Sequence, residues 1–296
     1  MVGPMVAGLL VFYVYPLIAS VYFSFTSFDL FTAPAFTGFT NYIFLFTKDP
    51  LVGSAALNTL FFVLILTPIK ILTALGVAGL LVRVKRASGF WRTVFYLPAL
   101  VPPVASVVAF VFLFNPGSGP VNVVLRFFGI DGPLWFNDPN LAKPSLVILG
   151  IWVMGDIMII LLAGMLDVPR ELYEATAIDG ASGWQQVWYI TLPTMRPVIG
   201  FAAVTGVIAA LQYFTEAAVA SSVASGRASI GEGPGATMGY PLGSLLTYTE
   251  WLYIRGFGNY QLGYASALAV VLFLVAGTVL MFAMRRVRAF TPEETS

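Results

Sequence analysis

The sequence predicts an all-α membrane protein. Its six transmembrane helices place both termini in the cytoplasm, with a two-helix cytoplasmic loop between helices four and five. Three observations lead there. The 296 residues are 58% hydrophobic and 10% charged, with a mean hydropathy of +0.87, outside the range of soluble domains. Six apolar runs reach the roughly 20 residues a helix needs to cross a hydrocarbon core. Basic residues gather at alternate connections, which orients the helices. One transmembrane domain is therefore expected over residues 1–296.

Span one, Val2 to Phe25, is uncharged and has Pro16 inside it. It lacks the basic start and short apolar core of a cleaved signal peptide and reads as a retained helix. An outer loop over 26–57 follows. Span two, Asn58 to Val82, carries Lys70 near its middle. A basic turn (Arg83, Lys85, Arg86, Arg92) leads to span three, Val94 to Phe114, where Pro98, Pro102 and Pro103 predict a kink near the start. The outer loop 115–144 holds an amphipathic piece around Val121 to Phe128. Span four, Ser145 to Leu166, contains Asp156; span five, Val198 to Ala220, has Gln212, Tyr213 and Glu216 in its second half. The outer segment 221–263 starts rich in glycine and serine, and its Leu245 to Phe257 portion suits a short interfacial helix or docking surface. Span six, Tyr264 to Met284, stops at Arg285, Arg286 and Arg288, and the tail Thr291 to Ser296 is expected to fray.

Orientation follows from the basic residues. One side receives Arg83, Lys85, Arg86, Arg92, Arg170, Arg196, Arg285, Arg286 and Arg288, and the other Lys48, Arg126, Lys143, Arg227 and Arg255 over longer loops. The denser side is cytoplasmic by the positive-inside rule. The chain has no cysteine, which excludes disulfides and thiolate metal sites. It has no histidine, which removes the commonest general base and metal ligand and weighs against an intramembrane metalloprotease. A net charge of +1 gives no reason to expect nucleic acid. No metal and no resident cofactor are expected.

The loop 167–197 is the one long polar-and-aromatic stretch between hydrocarbon runs. Pro169 can open a helix, Asp179-Gly180 supplies a turn, and Ser182 with Gln185 reads as a capping box for a second helix that Pro193 and Pro197 end. Glu174-Ala175-Thr176, then three residues to Gly180, nine to Ile190, and Leu192-Pro193 one residue further on resemble the loop signature of bacterial ABC-importer permeases. The match is closest to the carbohydrate-uptake group related to the maltose and glycerol-phosphate permeases. Thr176 stands where the family usually has alanine. The residues around Ile178 to Ala181, and Gly256-Phe257 with Gly263 to Ala267, agree with that group too.

The resemblance implies a non-enzymatic permease subunit of a bacterial inner membrane, importing a sugar or a related polyol or glycerol-phosphate solute by alternating access. It implies an ATP-binding cassette ATPase dimer as partner. Glu174, Ala175, Asp179, Gly180, Ile190, Leu192 and Pro193 would form the coupling loop that enters the ATPase cleft. A second, homologous permease, forming a heterodimer, and an extracytoplasmic solute-binding protein complete the assembly in the bilayer. The chain itself has no GxxxxGK[ST] segment, so ATP and Mg would bind the ATPase.

Charged residues at mid-membrane are costly and need a reason. Lys70 and Asp156 lie at similar depth, roughly 17–18 Å below the outer face at about 1.5 Å per helical residue. They read either as an ion pair pinning two helices or as polar walls of a substrate path. Gln212 and Glu216, four apart, are expected on one helix face beside Tyr213. That amide, phenol and carboxylate suit a sugar, or else bond to neighbouring helices. Trp152 and Asn115 are weaker candidates. Rival readings are an ion-coupled secondary carrier, which lacks its usual internal repeat here, an intramembrane enzyme, and an ABC permease for a non-sugar solute.

Overall fold

Proline alone does not decide where the helices run on and where they turn. The computed structural model describes residues 2–84, 86–226 and 237–288. Lys85, Arg227 and the tail from Thr291 lie outside the described residues. The first helix, α1 (Gly3–Phe23), passes straight through Pro16. A wide turn precedes that proline, in which the Tyr15 N–H donates five residues back to the Leu10 carbonyl. Such a turn relieves the clash that a proline ring makes with an ordinary helical carbonyl. The same device recurs before Pro68, where Thr67 donates to Phe62, and before Pro193, where Leu192 donates to Val187.

Outside the bilayer helices, β1 (Thr26–Ser27) pairs antiparallel with β2 (Ala35–Phe36), and α2 (Thr40–Thr47) follows. The next helix, α3 (Val52–Arg83), begins six residues before the expected Asn58. Asp49 Oδ1 accepts the Leu51 N–H at its start (3.0 Å), and Ala55 is buried against the chain's C-terminal third. Packing overrides the low helix propensity of Gly53 there.

Span three is an elbow rather than a kinked helix. α4 (Ser88–Leu100) and α5 (Pro103–Leu113) meet at 94°. Val101 and Pro102 are extended, as residues before prolines prefer. The amphipathic α6 (Pro120–Phe127) lies where the sequence expects it. Its buried Asn122 donates to the Pro116 and Pro133 carbonyls and accepts from Trp135 Nε1 at 2.7 Å, pinning the loop. Span four is split, without a proline to announce it, into α7 (Ala142–Trp152) and α8 (Gly155–Leu166) at 48°. A Cβ at Gly155 would meet the Phe95 carbonyl at 2.7 Å and Tyr96 Cα at 2.8 Å, so the break seats the α4 elbow against bare backbone.

The loop helices are α9 (Arg170–Ile178) and α10 (Gly183–Thr194), the second ending between Pro193 and Pro197. Span five is also interrupted: α11 (Arg196–Leu211) ends at Gln212, and α12 (Thr215–Ala224) starts afresh. α13 (Tyr248–Tyr253) and α14 (Leu262–Arg288), which outruns the expected Met284, complete the order. Among the described residues, three helices are long and apolar enough to cross a membrane alone, and bent pairs bring the number to as many as six.

Among the described residues, packing falls into three clusters. One joins Phe62, Leu66, Val107, Phe110, Leu146 and Ala217. The second joins Ile71, Ala74, Ile157, Met158, Leu161, Ile190, Met195 and Ala202. The third joins Leu45, Ala55, Tyr248, Trp251, Tyr264 and Leu268, around α13. The α13 helix opens with a capping box: Thr247 Oγ1 accepts the Glu250 N–H (3.3 Å) and Glu250 Oε2 the Thr247 N–H (3.4 Å), while Gly239 N–H donates to Oε1 (3.2 Å). Glu250 is fully buried. Burial pushes its carboxyl up to about 8, and the two backbone hydrogen bonds offset only part of that. The folded segment thus keeps a proton that the unfolded chain releases above its ordinary value of 4.5, and stability is lost as pH rises from there through about 8. Exchange protection of amides 245–258, corrected for intrinsic rates, should fall between pH 6 and pH 8. Glu250→Gln, which preserves the capping box, should flatten that dependence; an unchanged slope would rule out Glu250 as its source.

Candidate functional site

The loop helices present one half of the sequence motif and bury the other. Pro169 caps α9 from outside, in extended backbone, and the helix starts at Arg170. Glu174, Ala175, Asp179 and Gly180 are exposed. Gly180 sits at φ +79°, where glycine is favoured. The Ala181 N–H closes onto the Thr176 carbonyl (3.0 Å) and the Gly180 N–H onto Ala177 (3.1 Å), the paired bonds of a Schellman C-cap. The Ser182–Gln185 capping box forms as the sequence predicts, at 2.7 and 3.3 Å.

Ile190 is buried in the second cluster with Val168 and Met195, against α3 and α8, and Leu192 and Pro193 are half-buried. Thr176 has a use that sequence reasoning missed. Its hydroxyl donates to the helix carbonyls of Leu172 and Tyr173 and accepts from Gln186 Nε2 at 3.4 Å, while Gln186 also reaches the Tyr173 carbonyl at 3.2 Å. Tyr173 Oη meets Thr191 Oγ1 at 2.9 Å. The two loop helices are cross-linked by side chains, and the second is bolted into the core. A Thr–Gln pair across a turn is too common a composition to have pointed to this.

A cavity of about 700 Å³ opens between α3, α5, α8, α11 and α12, and Lys70, Asp156, Gln212, Tyr213 and Glu216 all line it. Lys70 Nζ lies 3.3 Å from Asp156 Oδ1. The ion pair and the polar wall, alternatives from the sequence, are the same arrangement. Asp156 and Glu216 each occupy the first turn of a restarted half-helix, α8 and α12, where the helix dipole favours a carboxylate.

The break at 212–214 corrects one expectation: Gln212 and Glu216 do not share the face of a continuous helix. Gln212 is the cap of α11 and Glu216 belongs to α12, and they meet at the cavity because the chain turns between them. Tyr213 is half anchor: its ring packs on Phe62 at 4.5 Å and its carbonyl accepts from Thr249 Oγ1 at 3.1 Å. Trp152 and Asn115 are not among the lining residues. Trp152 packs on Phe110, and Asn115 Oδ1 caps its own turn through the Gly117 and Ser118 N–H groups. The lining hydroxyls of Thr67, Ser106 and Thr205 were not singled out from sequence, since threonine and serine in apolar spans carry no pattern of their own.

Residues 70–289 match the family model described as binding-protein-dependent transport system inner membrane component. The chain is 36% identical to the probable ABC transporter permease protein YesP of Bacillus subtilis (strain 168), over 94% of this chain and 86% of that one. It is 33% identical to the sulfoquinovosyl glycerol transport system permease protein SmoG of Agrobacterium fabrum (strain C58), over 93% and 85%. Its fold is similar to a chain in the crystal structure of a bacterial ABC transporter involved in import of the acidic polysaccharide alginate. The TM-score is 0.78 at 23% identity, covering 98% of this chain and 94% of that chain.

Proposed function

The chain belongs to the family of binding-protein-dependent transport system inner membrane components, and from that premise we propose that it is the membrane-spanning subunit of an ATP-driven importer for a sugar or related polyhydroxyl solute. The observation that carries the mechanism is one continuous core. Ile190 and Met195 of the loop share a packed cluster with Ile157 and Met158 of α8, and α8 also carries Asp156 into the cavity. A force on the loop therefore moves the cavity wall.

In this reading α9 and α10 face the cytoplasm, both termini lie on that side, and the chain crosses six times. The broken pairs α4–α5, α7–α8 and α11–α12 each count as one crossing. Glu174 and Asp179 dock in a cleft of a separate ATPase, which binds ATP and Mg and does the hydrolysis. A carboxylate on an exposed helix accepts charge-assisted bonds from a partner arginine. Closure of the ATPase dimer carries the loops together, and the helices rock as rigid bodies between outward- and inward-facing arrangements. A second permease supplies the facing wall, and an extracytoplasmic binding protein delivers the solute over the loops 26–57 and 221–263. Broken half-helices whose starts carry the polar residues suit a site at mid-membrane.

Purification of the tagged chain in mild detergent tests the proposal. Recovery of a stoichiometric ATPase and a second permease, with sugar-stimulated ATP hydrolysis, is the expected result. A chain that purifies alone and still binds solute would overturn it in favour of an ion-coupled carrier.

A further inference from the structure

The amphipathic helix α6 has no part in the importer reading. It begins a short turn beyond the end of α5 and is tied back to that turn. The Gly119 N–H donates to the Asn115 carbonyl (3.0 Å), Asn122 Nδ2 to Pro116 (3.2 Å) and Arg126 Nη2 to Gly117 (2.9 Å). Trp135, which donates to Asn122, also packs edge-on against Phe114 at 4.7 Å. The helix is thereby held at the end of α5, a half-helix whose Val104, Val108 and Phe112, four apart, are exposed hydrocarbon.

Asn122 is buried and marks the side of α6 that faces its own chain. Arg126, the helix's one charged residue, is one turn further on and turns back the same way to Gly117. At about 100° per residue, Val123, Val124 and Phe127, with the capping Phe128, fan around the opposite side. All four are exposed, Phe127 by 84% and Phe128 by 71%, and Ile130 extends the patch. Contiguous hydrocarbon of this kind marks a contact with a membrane or another protein. A delivery protein that docks and leaves would meet a surface with polar and charged groups at its rim, and this face carries none. The bilayer, which already bathes the exposed side chains of the spans, suits bare valine and phenylalanine at the point where a span ends.

We infer that this face is a lipid contact: α6 lies along the bilayer surface, and Phe127 and Phe128 enter the headgroup–acyl boundary of the leaflet in which α5 ends. The inference rests on residence in the membrane and not on the importer's cargo or partners. Its effect is positional. α5 has 11 residues, too few to cross alone, where about 20 are needed, so its depth is set from its ends. The 94° elbow holds one end. A lipid-seated α6 holds the other, with Ser106 of the cavity wall between them.

The chain has no cysteine, so Phe127→Cys gives it a single thiol for a nitroxide label. The full chain, in whatever complex it purifies, is reconstituted in vesicles of phosphatidylethanolamine and phosphatidylglycerol, and the wild-type preparation supplies the background from other subunits. Power-saturation EPR then compares collisions with oxygen, which concentrates in lipid, and with a water-soluble nickel chelate. The label should favour oxygen several-fold, in line with a seat about 5–10 Å into the headgroup–acyl boundary. Val124→Cys, on the same face, should agree, and it carries the test if the first variant does not reconstitute. A label that favours the chelate puts the face in water and overturns the inference. A label immobilised and shielded from both reagents puts a protein surface there and overturns it equally. Absence of an ATPase from the preparation would defeat the importer reading and leave this measurement standing.

Discussion

Replacing Gly180 by valine is expected to cut solute uptake by about a hundredfold while leaving the chain in the membrane. At φ +79° a β-branched side chain is strained. Nothing lies within 4 Å of where a Cβ would be, so the loss would come from backbone conformation and not from collision. Valine would pull residue 180 out of the left-handed region, break the bonds from Ala181 to Thr176 and from Gly180 to Ala177, and swing α10 relative to α9. In the coupling mechanism proposed above, Glu174 on α9 would then no longer be held in fixed register with the buried Ile190 on α10. Misplacement of an assembled site by about 1 Å can cost on the order of 10²-fold in rate. Gly180→Asn is the control, because asparagine tolerates the left-handed region and should retain most uptake. Proteoliposome uptake and solute-stimulated ATP hydrolysis read both variants. Equal loss in valine and asparagine would mean that the site needs glycine's bareness for contact, and normal uptake by both would remove the elbow from the mechanism.

The second large effect is expected at Arg255. The side chain of Asp49 is fully buried. Its Oδ2 accepts from Tyr264 Oη (2.7 Å), Trp251 Nε1 (3.0 Å) and Arg255 Nη2 (3.2 Å), and the guanidinium lies over the Trp251 ring at 4.5 Å. Burial alone would raise the Asp49 carboxyl. The hydrogen bonds from Tyr264, Leu51 and Trp251, with the arginine's charge, outweigh it and hold the carboxyl below its ordinary value. The stability this contributes is present above the unfolded value of 3.8 and is lost as pH falls below it. Arg255→Leu leaves a buried carboxylate without its cation, at a cost of about 3–5 kcal/mol. Adding Asp49→Asn should recover more than half, because the two changes remove one interaction. Thermal unfolding in detergent measures both, and additive losses would show that the arginine acts through its ring contacts instead.

What was legible in the sequence divides along physical lines. Long apolar runs and the capping chemistry of Ser182–Gln185 are local signals, and they appear where expected. The Gly180 turn follows from the Asp179-Gly180 pair, whereas Ile190, expected on an exposed loop helix, is buried in the core. Depth counting brought Lys70 and Asp156 together even though α3 starts six residues early and α7 three, at Ala142, because both starts shifted outward. The breaks at 153–154 and 212–214 were hidden, since no proline or glycine pair marks 212–214 and Gly155 looks like any other small residue in a span. Pro193 and Pro197 bracket the end of α10 as expected, at Thr194, and a wide turn lets Pro193 itself lie within the last turn. Those breaks and turns are set by what packs against them, which a single sequence does not record.

The interruption of span five has a consequence for how such a protein can change over generations. Gln212 lies outside any helix, and Glu216 sits in a first turn whose backbone N–H groups are not yet bonded within the helix. Substitutions at either position therefore escape most of the propensity and packing constraints that fix Ile157, Leu161 or Ile190. Under the importer reading proposed above, a lineage could exchange one solute for another at these two positions while the block packed on the loop stays as it is. Diversity of cargo and constancy of drive would then be separable traits, inherited from different parts of one chain.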